Sequence, residues 1–204
     1  MALKTRVKVS EVKNLHDGRY CAGMGVEMIG LPIDPNLPGY INPETFSEIS
    51  SWLSGISYAG EIEQLDLVNL DDYSLDFIET GEPGLINQLV LSGIPIILRV
   101  DLDDFVKKDE LTAFLSQYAD LTAFFLMESS EEMDEDKKIL LKELAAKYDV
   151  FIGFGINKEN VNEIIDAIKP LGIGLKGAEE IKTGLNNFDE LADILEAIDT
   201  DEYL

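Results

Sequence analysis

Val150-Phe151-Ile152-Gly153-Phe154-Gly155-Ile156-Asn157-Lys158-Glu159-Asn160-Val161 runs as a buried strand, a glycine turn and the start of a helix. Gly153 and Gly155 allow backbone amides to come close to a ligand. Asn157 is placed to cap the helix, with Glu159 in its first turn. Free amides at the positive end of a helix suit a phosphate. The same residues also read as a plain strand-to-helix turn, because glycine turns are common in α/β proteins. His16, the one histidine, stands beside Asp17 at a helix start, where an exposed polar residue is the ordinary reading. Cys21, the one cysteine, falls inside a helix as a small apolar side chain, so no disulfide forms within the chain.

Elements must position these residues. Apolar alternation and buried runs predict strands at 6–10, 27–31, 56–62, 75–79, 95–100, 122–127, 150–154 and 173–176. Helical spacing predicts helices at 14–25, 44–53, 84–91, 108–118, 134–148, 159–168 and 187–198, with a short irregular one within 63–73. The 134–148 helix is expected to turn Ile139, Leu140, Leu144 and Ala145 inward, and Asn187 to cap the last helix with Glu190 three residues on. Trp52, Phe124, Phe125 and Phe151 read as packing residues. Strands alternating with helices mean parallel strands joined by crossovers, and eight such units close into a (β/α)8 TIM barrel. An open doubly wound sheet usually stops at about six strands. Residues 1–204 are therefore expected to form a single barrel domain.

Forty acidic residues against sixteen basic ones give a formal charge of −24. That surface repels nucleic acid and anionic lipid. No uncharged apolar run approaches the roughly 18 residues of a membrane helix, and residues 1–10 lack the apolar core of a signal peptide. With one cysteine, the expectation is a cytoplasmic protein without nucleic-acid or membrane partners.

The motifs resemble one family. Lys8-Val9-Ser10-Glu11-Val12-Lys13 looks like the K-[IV]-C-G-[IL]-[TK] segment after the first strand of phosphoribosylanthranilate isomerases. Gly25-Val26-Glu27-Met28-Ile29-Gly30-Leu31 is similar to their G-A-D-x-[IVL]-G-F, and Tyr40-Ile41-Asn42-Pro43-Glu44 to their Y-[IV]-S-P-E. Phe154-Gly155-Ile156-Asn157-Lys158-Glu159-Asn160-Val161 resembles G-G-L-x-P-E-N-V, and the ordered set runs from residue 7 to about residue 190. The resemblance implies the same barrel and an Amadori rearrangement in tryptophan biosynthesis, which converts an N-phosphoribosyl aminobenzoate to its 1-deoxyribulose form. It implies a base after strand 1, where the family's cysteine is Ser10 and its glycine is Glu11, and an acid after strand 6, at or beside Glu128. It implies a phosphate grip at Gly155, Lys176 and Gly177. The family's arginine near the substrate carboxylate corresponds to Gly39, and its histidine after strand 4 to Thr80.

Active sites of such barrels lie at the C-terminal ends of the strands. Here those ends carry Ser10, Glu11, Asp34, Glu61, Glu79, Arg99, Asp101, Glu128, Gly155 and Lys176. A serine alone is not a competent base at neutral pH, whereas a thiol of pKa about 8.5 is partly ionised. Three functions remain open. One is an isomerase-like barrel for a small phosphorylated sugar, with Ser10, Glu11 and Glu128 in proton transfer and no cofactor or metal. Another is a non-catalytic barrel that binds a ligand or a partner. The third is a metal enzyme holding Mg²⁺ through Glu61, Asp101 and Glu128. The resemblance admits a monomer or a homodimer.

Overall fold

The computed structural model describes residues 2–177, 179–182 and 185–200. Eight parallel strands close in sequence order: β1 (Arg6–Ser10), β2 (Met28–Pro32), β3 (Ser57–Glu61), β4 (Phe77–Thr80), β5 (Ile96–Asp101), β6 (Phe124–Glu128), β7 (Val150–Ile152) and β8 (Gly172–Lys176). The last strand returns to the first, with Ser10 opposite Lys176 and Val9 opposite Leu175. Closure of this kind leaves the barrel with no sheet edge.

Side chains alternate between two environments. Val7, Val9, Ile29, Leu31, Ile78, Leu98, Phe125, Met127, Ile152 and Ile173 belong to one large core packed against the helices, while Met28, Ala59, Ile97, Phe124, Leu126 and Phe151 form a second cluster. The in-and-out period of two assigns the second set to the barrel interior. Lys8 lies between Val7 and Val9 and therefore points inward.

The helices are α1 (Leu15–Gly23), α2 (Pro43–Trp52), α3 (Ile86–Leu89), α4 (Lys108–Tyr118), α5 (Glu135–Ala145), α6 (Val161–Ile168) and α7 (Asp189–Ala197). Local chemistry starts several of them. Asn14, Asn42 and Asp134 each accept from an amide three residues on, satisfying an otherwise unpaired donor. Pro43 stands in the first turn of α2, where its missing N–H costs nothing.

Five expectations change. Residues 63–73 form a 3-10 turn at Leu70–Asp72 instead of a helix, while Leu65, Val68, Leu70 and Tyr73 pack on the core from this irregular stretch. Two antiparallel strands, β9 (Glu179–Lys182) and β10 (Leu185–Asn187), precede α7, so Asn187 ends a strand; Phe188 takes the cap position without a side-chain bond. Trp52 is 65% exposed under the guanidinium of Arg19, 5.8 Å from its ring, and Ile139 is 58% exposed while Leu141 and Leu144 face inward. Asn157 caps a turn instead of the helix itself: its Oδ1 accepts from the amides of Glu159 and Asn160, and α6 begins at Val161.

Candidate active site at the barrel mouth

Ser10, Glu11, Glu61, Glu63, Arg99, Glu128 and Lys176 line a cavity of about 340 Å³ at the C-terminal ends of the strands. Parallel strands in register bring these residues together: Asp101 pairs with Glu128 across β5 and β6, Glu61 with Glu79 across β3 and β4, and Ser10 with Lys176 across β1 and β8.

Below the cavity lies a buried ion cluster. The Lys8 ammonium is 2.6 Å from Glu79 Oε2, 3.1 Å from Glu61 Oε1 and 2.5 Å from Ser10 Oγ, and its side chain is fully enclosed. Glu79 Oε2 is ion-paired but out of line for a hydrogen bond. Burial opposes the charge on Lys8, but Glu79 and Glu61 outweigh it and hold its pKa above the ordinary lysine range. Glu61 is pushed above the carboxylate range by burial, against the pull of Lys8. The cluster has room because β2 presents Gly30, where a Cβ would stand 1.9 Å from Glu61 Oε1.

Arg99 forms the second ionic centre. It meets Glu63, lies 3.4 Å from Glu79 and 3.6 Å from Glu128, and so ties the segment after β3 to β4 and β6. Burial raises the Glu128 pKa and Arg99 opposes the rise; the net direction is upward. A carboxyl of this kind keeps its proton nearer neutrality, as a general acid must.

Glu11 adopts the left-handed conformation, φ 58°. Its amide donates to both carboxylate oxygens of Glu61 at 3.2 Å, and its side chain is half exposed, 3.9 Å from both Lys13 and Lys176. The position that the resembling motif gives to glycine thus holds a glutamate in a conformation that glycine adopts freely. At Gly39, the stem of Lys13 fills the space that a side chain would enter.

Gly155, Lys176 and Gly177 line a neighbouring cavity of about 300 Å³ with Gly153, Gly174 and Glu190. No described residue accepts from the Gly155 amide, and its carbonyl takes a bond from Asn160. The Gly177 amide is already committed to the Ser10 carbonyl at 2.7 Å. Gly177 can therefore shape the cavity but has no amide to offer, and Glu190 adds an acid there. Lys176 lines both cavities and joins them.

Other strand-end acids are structural. Asp34 is buried and accepts from Asn36, Glu63 and Gln64; burial works against its charge, and these bonds bring its pKa below the ordinary value. Asp101 caps the Asp103 amide. Among the described residues no group of three or more His, Cys, Asp or Glu side chains is placed to hold a metal ion, so Glu61, Asp101 and Glu128 do not converge as a cation site. Cys21 is buried, which pushes its thiol up to about 12, and His16 is exposed beside Phe188.

No protein-family model matches the chain. Along 205 residues it is 28% identical to the N-(5'-phosphoribosyl)anthranilate isomerase of Aquifex aeolicus (strain VF5), covering 93% of this chain and 96% of that one. The chain is a divergent relative of the phosphoribosylanthranilate isomerases. The solved phosphoribosylanthranilate isomerase of Thermotoga maritima superposes with a TM-score of 0.75 at 20% identity, over 95% of this chain and 98% of the other. A phosphoribosylanthranilate isomerase solved with reduced 1-(o-carboxyphenylamino)-1-deoxyribulose 5-phosphate gives a TM-score of 0.74 at 20% identity, with the same coverage. These likenesses confirm the closed barrel expected of a phosphoribosylanthranilate isomerase-like chain. Among the described residues no helix is long and apolar enough to cross a membrane.

Lys8 is the residue that sequence reasoning missed. Flanked by valines, it reads as the solvent side of an alternating strand. Its signal was the barrel itself, in which alternate residues face an enclosed interior, as Glu61, Glu79 and Arg99 also do.

Proposed function

We propose that the mouth of this barrel takes a small phosphorylated sugar and runs, slowly, the Amadori-type isomerisation of a phosphoribosyl aminobenzoate. The reading rests on one observation: Ser10, Glu11, Glu128 and Lys176 line a single cavity at the strand ends. That they do so in a chain similar to an isomerase along nearly its whole length adds weight.

The reaction needs a proton delivered to the ring oxygen as the glycosylamine opens, and a proton removed from C2 of the open chain. Glu128 suits the first step, because burial favours its protonated form. The second step is the weak one. Ser10 lacks the acidity of a thiol, and its neighbour Lys8 is held as a cation and takes no proton from it. Glu11, at the cavity edge, is the remaining acceptor. The phosphate would meet the Gly155 amide and Lys176, with Gly177 shaping the floor.

The test is turnover of phosphoribosylanthranilate by the purified protein, followed by loss of substrate fluorescence. Slow conversion is expected, falling about 100-fold in Glu128→Gln, the scale of a lost general acid. Conversion indifferent to Glu128→Gln would overturn the assignment. The Lys8–Ser10 contact favours a second reading, a barrel that binds without turnover. Binding of the reduced carboxyphenylamino deoxyribulose phosphate with no conversion of substrate would select it.

A further inference from the structure

We propose that Ser10 serves as a hydrogen-bond donor to a ligand oxygen, and that Lys8 is the positioning residue that commits it to that role. The proposal deepens the reading of the mouth as a sugar-phosphate site. It stands on the geometry of three side chains.

An ammonium has only donors. Lys8 Nζ lies 2.5 Å from Ser10 Oγ, so the serine oxygen must accept. Glu61 and Glu79 fix the ammonium in place from the other side and keep it charged. A hydroxyl that accepts from a cation still has its own proton to give. No described residue accepts that proton. Ser10 lines the cavity with Glu11, Glu128 and Lys176, so the unused donor serves whatever oxygen enters there. The polarisation runs one way: a cation behind an acceptor strengthens the donor in front of it. Lys8 therefore disqualifies Ser10 as a base while improving it as a donor. The matching ligand is one that presents a carbonyl, enol or hydroxyl oxygen near the reacting carbon, as an open-chain sugar does.

A thiol at this position reports the ammonium without any ligand. In Ser10→Cys, built in a Cys21→Ala background, the rate of iodoacetamide alkylation is measured against pH. Glu61 and Glu79 offset part of the cation's pull, so the expectation is a difference: the thiol titrates lower with Lys8 in place than without it. The form without it is Lys8→Met in the same background, with Glu79→Gln to avoid two stranded carboxylates. Equal titration with and without Lys8 would overturn its placement. The ligand arm uses the reduced carboxyphenylamino deoxyribulose phosphate: Ser10→Ala should weaken its binding about tenfold, and unchanged binding would remove Ser10 from the site. If the parent protein does not bind this compound, the sugar-phosphate reading fails and the donor role at a ligand falls with it. The thiol titration would still decide whether Lys8 holds residue 10.

Discussion

At one end of the barrel Phe124 stacks on Phe151 with 4.3 Å between ring centroids, and Met28, Ala59, Ile97 and Leu126 complete an apolar plug. Toward the other end Lys8, Glu61 and Glu79 occupy the same interior as ions, with Arg99 above them. The plug is held by area removed from water, about 25 cal/mol per Å², and tolerates a change of shape at a modest cost. The ions are held by one another. Removing one partner leaves the rest charged and dry, which is worse than never having buried them. The two ends show how one fold combines a rigid base with a polar mouth: apolar packing needs only volume, while the charged end needs every member in place.

The sharpest way to break this comparison is Lys8→Met. It strands Glu61 and Glu79, and a loss of about 3–5 kcal/mol is expected at pH 7 by denaturant unfolding. Glu61 is already shifted upward by burial, and without Lys8 its carboxyl binds a proton still more tightly in the folded state than in the unfolded one. The folded state then gains relative to the unfolded state as pH falls toward the ordinary carboxylate range, so the deficit should shrink near pH 5. Leu126→Ala, in the plug, should cost about 3 kcal/mol equally at both pH values. A Lys8→Met deficit that ignored pH would mean that the cluster is held by packing.

Glu11→Gly should act in the opposite direction. A non-glycine residue in the left-handed region costs roughly 1–2 kcal/mol, and glycine gives back about half of that in unfolded-state entropy. A gain of about 0.5–1 kcal/mol is expected, with none in Glu11→Ala; equal gains would point to the glutamate charge instead of the backbone.

The smallest effect lies at the rim. Hydrogen bonds from the Ser129 hydroxyl and from the hydroxyl and amide of Ser130 hold the Asp103 carboxyl down at about 2. A depressed carboxyl stabilises the fold above its unfolded value of about 3.9, and that contribution is lost as pH falls toward 2. Between pH 5 and pH 2 the parent should therefore lose slightly more thermal stability than Asp103→Asn. Parallel curves would show that the loop bonds survive protonation.

The barrel was legible in the chain because its signal is redundant. Eight apolar runs at regular spacing mark strands whatever the detail of each end, and β1 and α4 match the expected spans residue for residue. The hairpin Glu179–Lys182 with Leu185–Asn187 was not legible, since its residues are polar and show neither period clearly. Of the site, the strand ends Ser10, Glu128 and Lys176 could be named, because strand order puts them at one mouth. What could not be read was pairing. A row of carboxylates looks repulsive in one dimension, and only the closed sheet shows Lys8 and Arg99 threaded between Glu61, Glu63, Glu79 and Glu128. Commitment of the Gly177 amide to Ser10 is likewise a fact of closure, invisible before β8 meets β1.

Gly30 carries a consequence for how such a chain can drift. Its missing side chain is the berth of the Glu61 carboxylate, and no methyl group fits there while the carboxylate stays. A lineage abandoning the salt cluster for an oily filling would have to exchange residues on β1, β2, β3 and β4 almost together, because each halfway protein holds either a stranded ion or a collision. The notch on β2 thus acts as a ratchet: once it is occupied by charge, single steps that strand an ion or crowd the notch destabilise the fold, so the polar mouth resists piecemeal replacement.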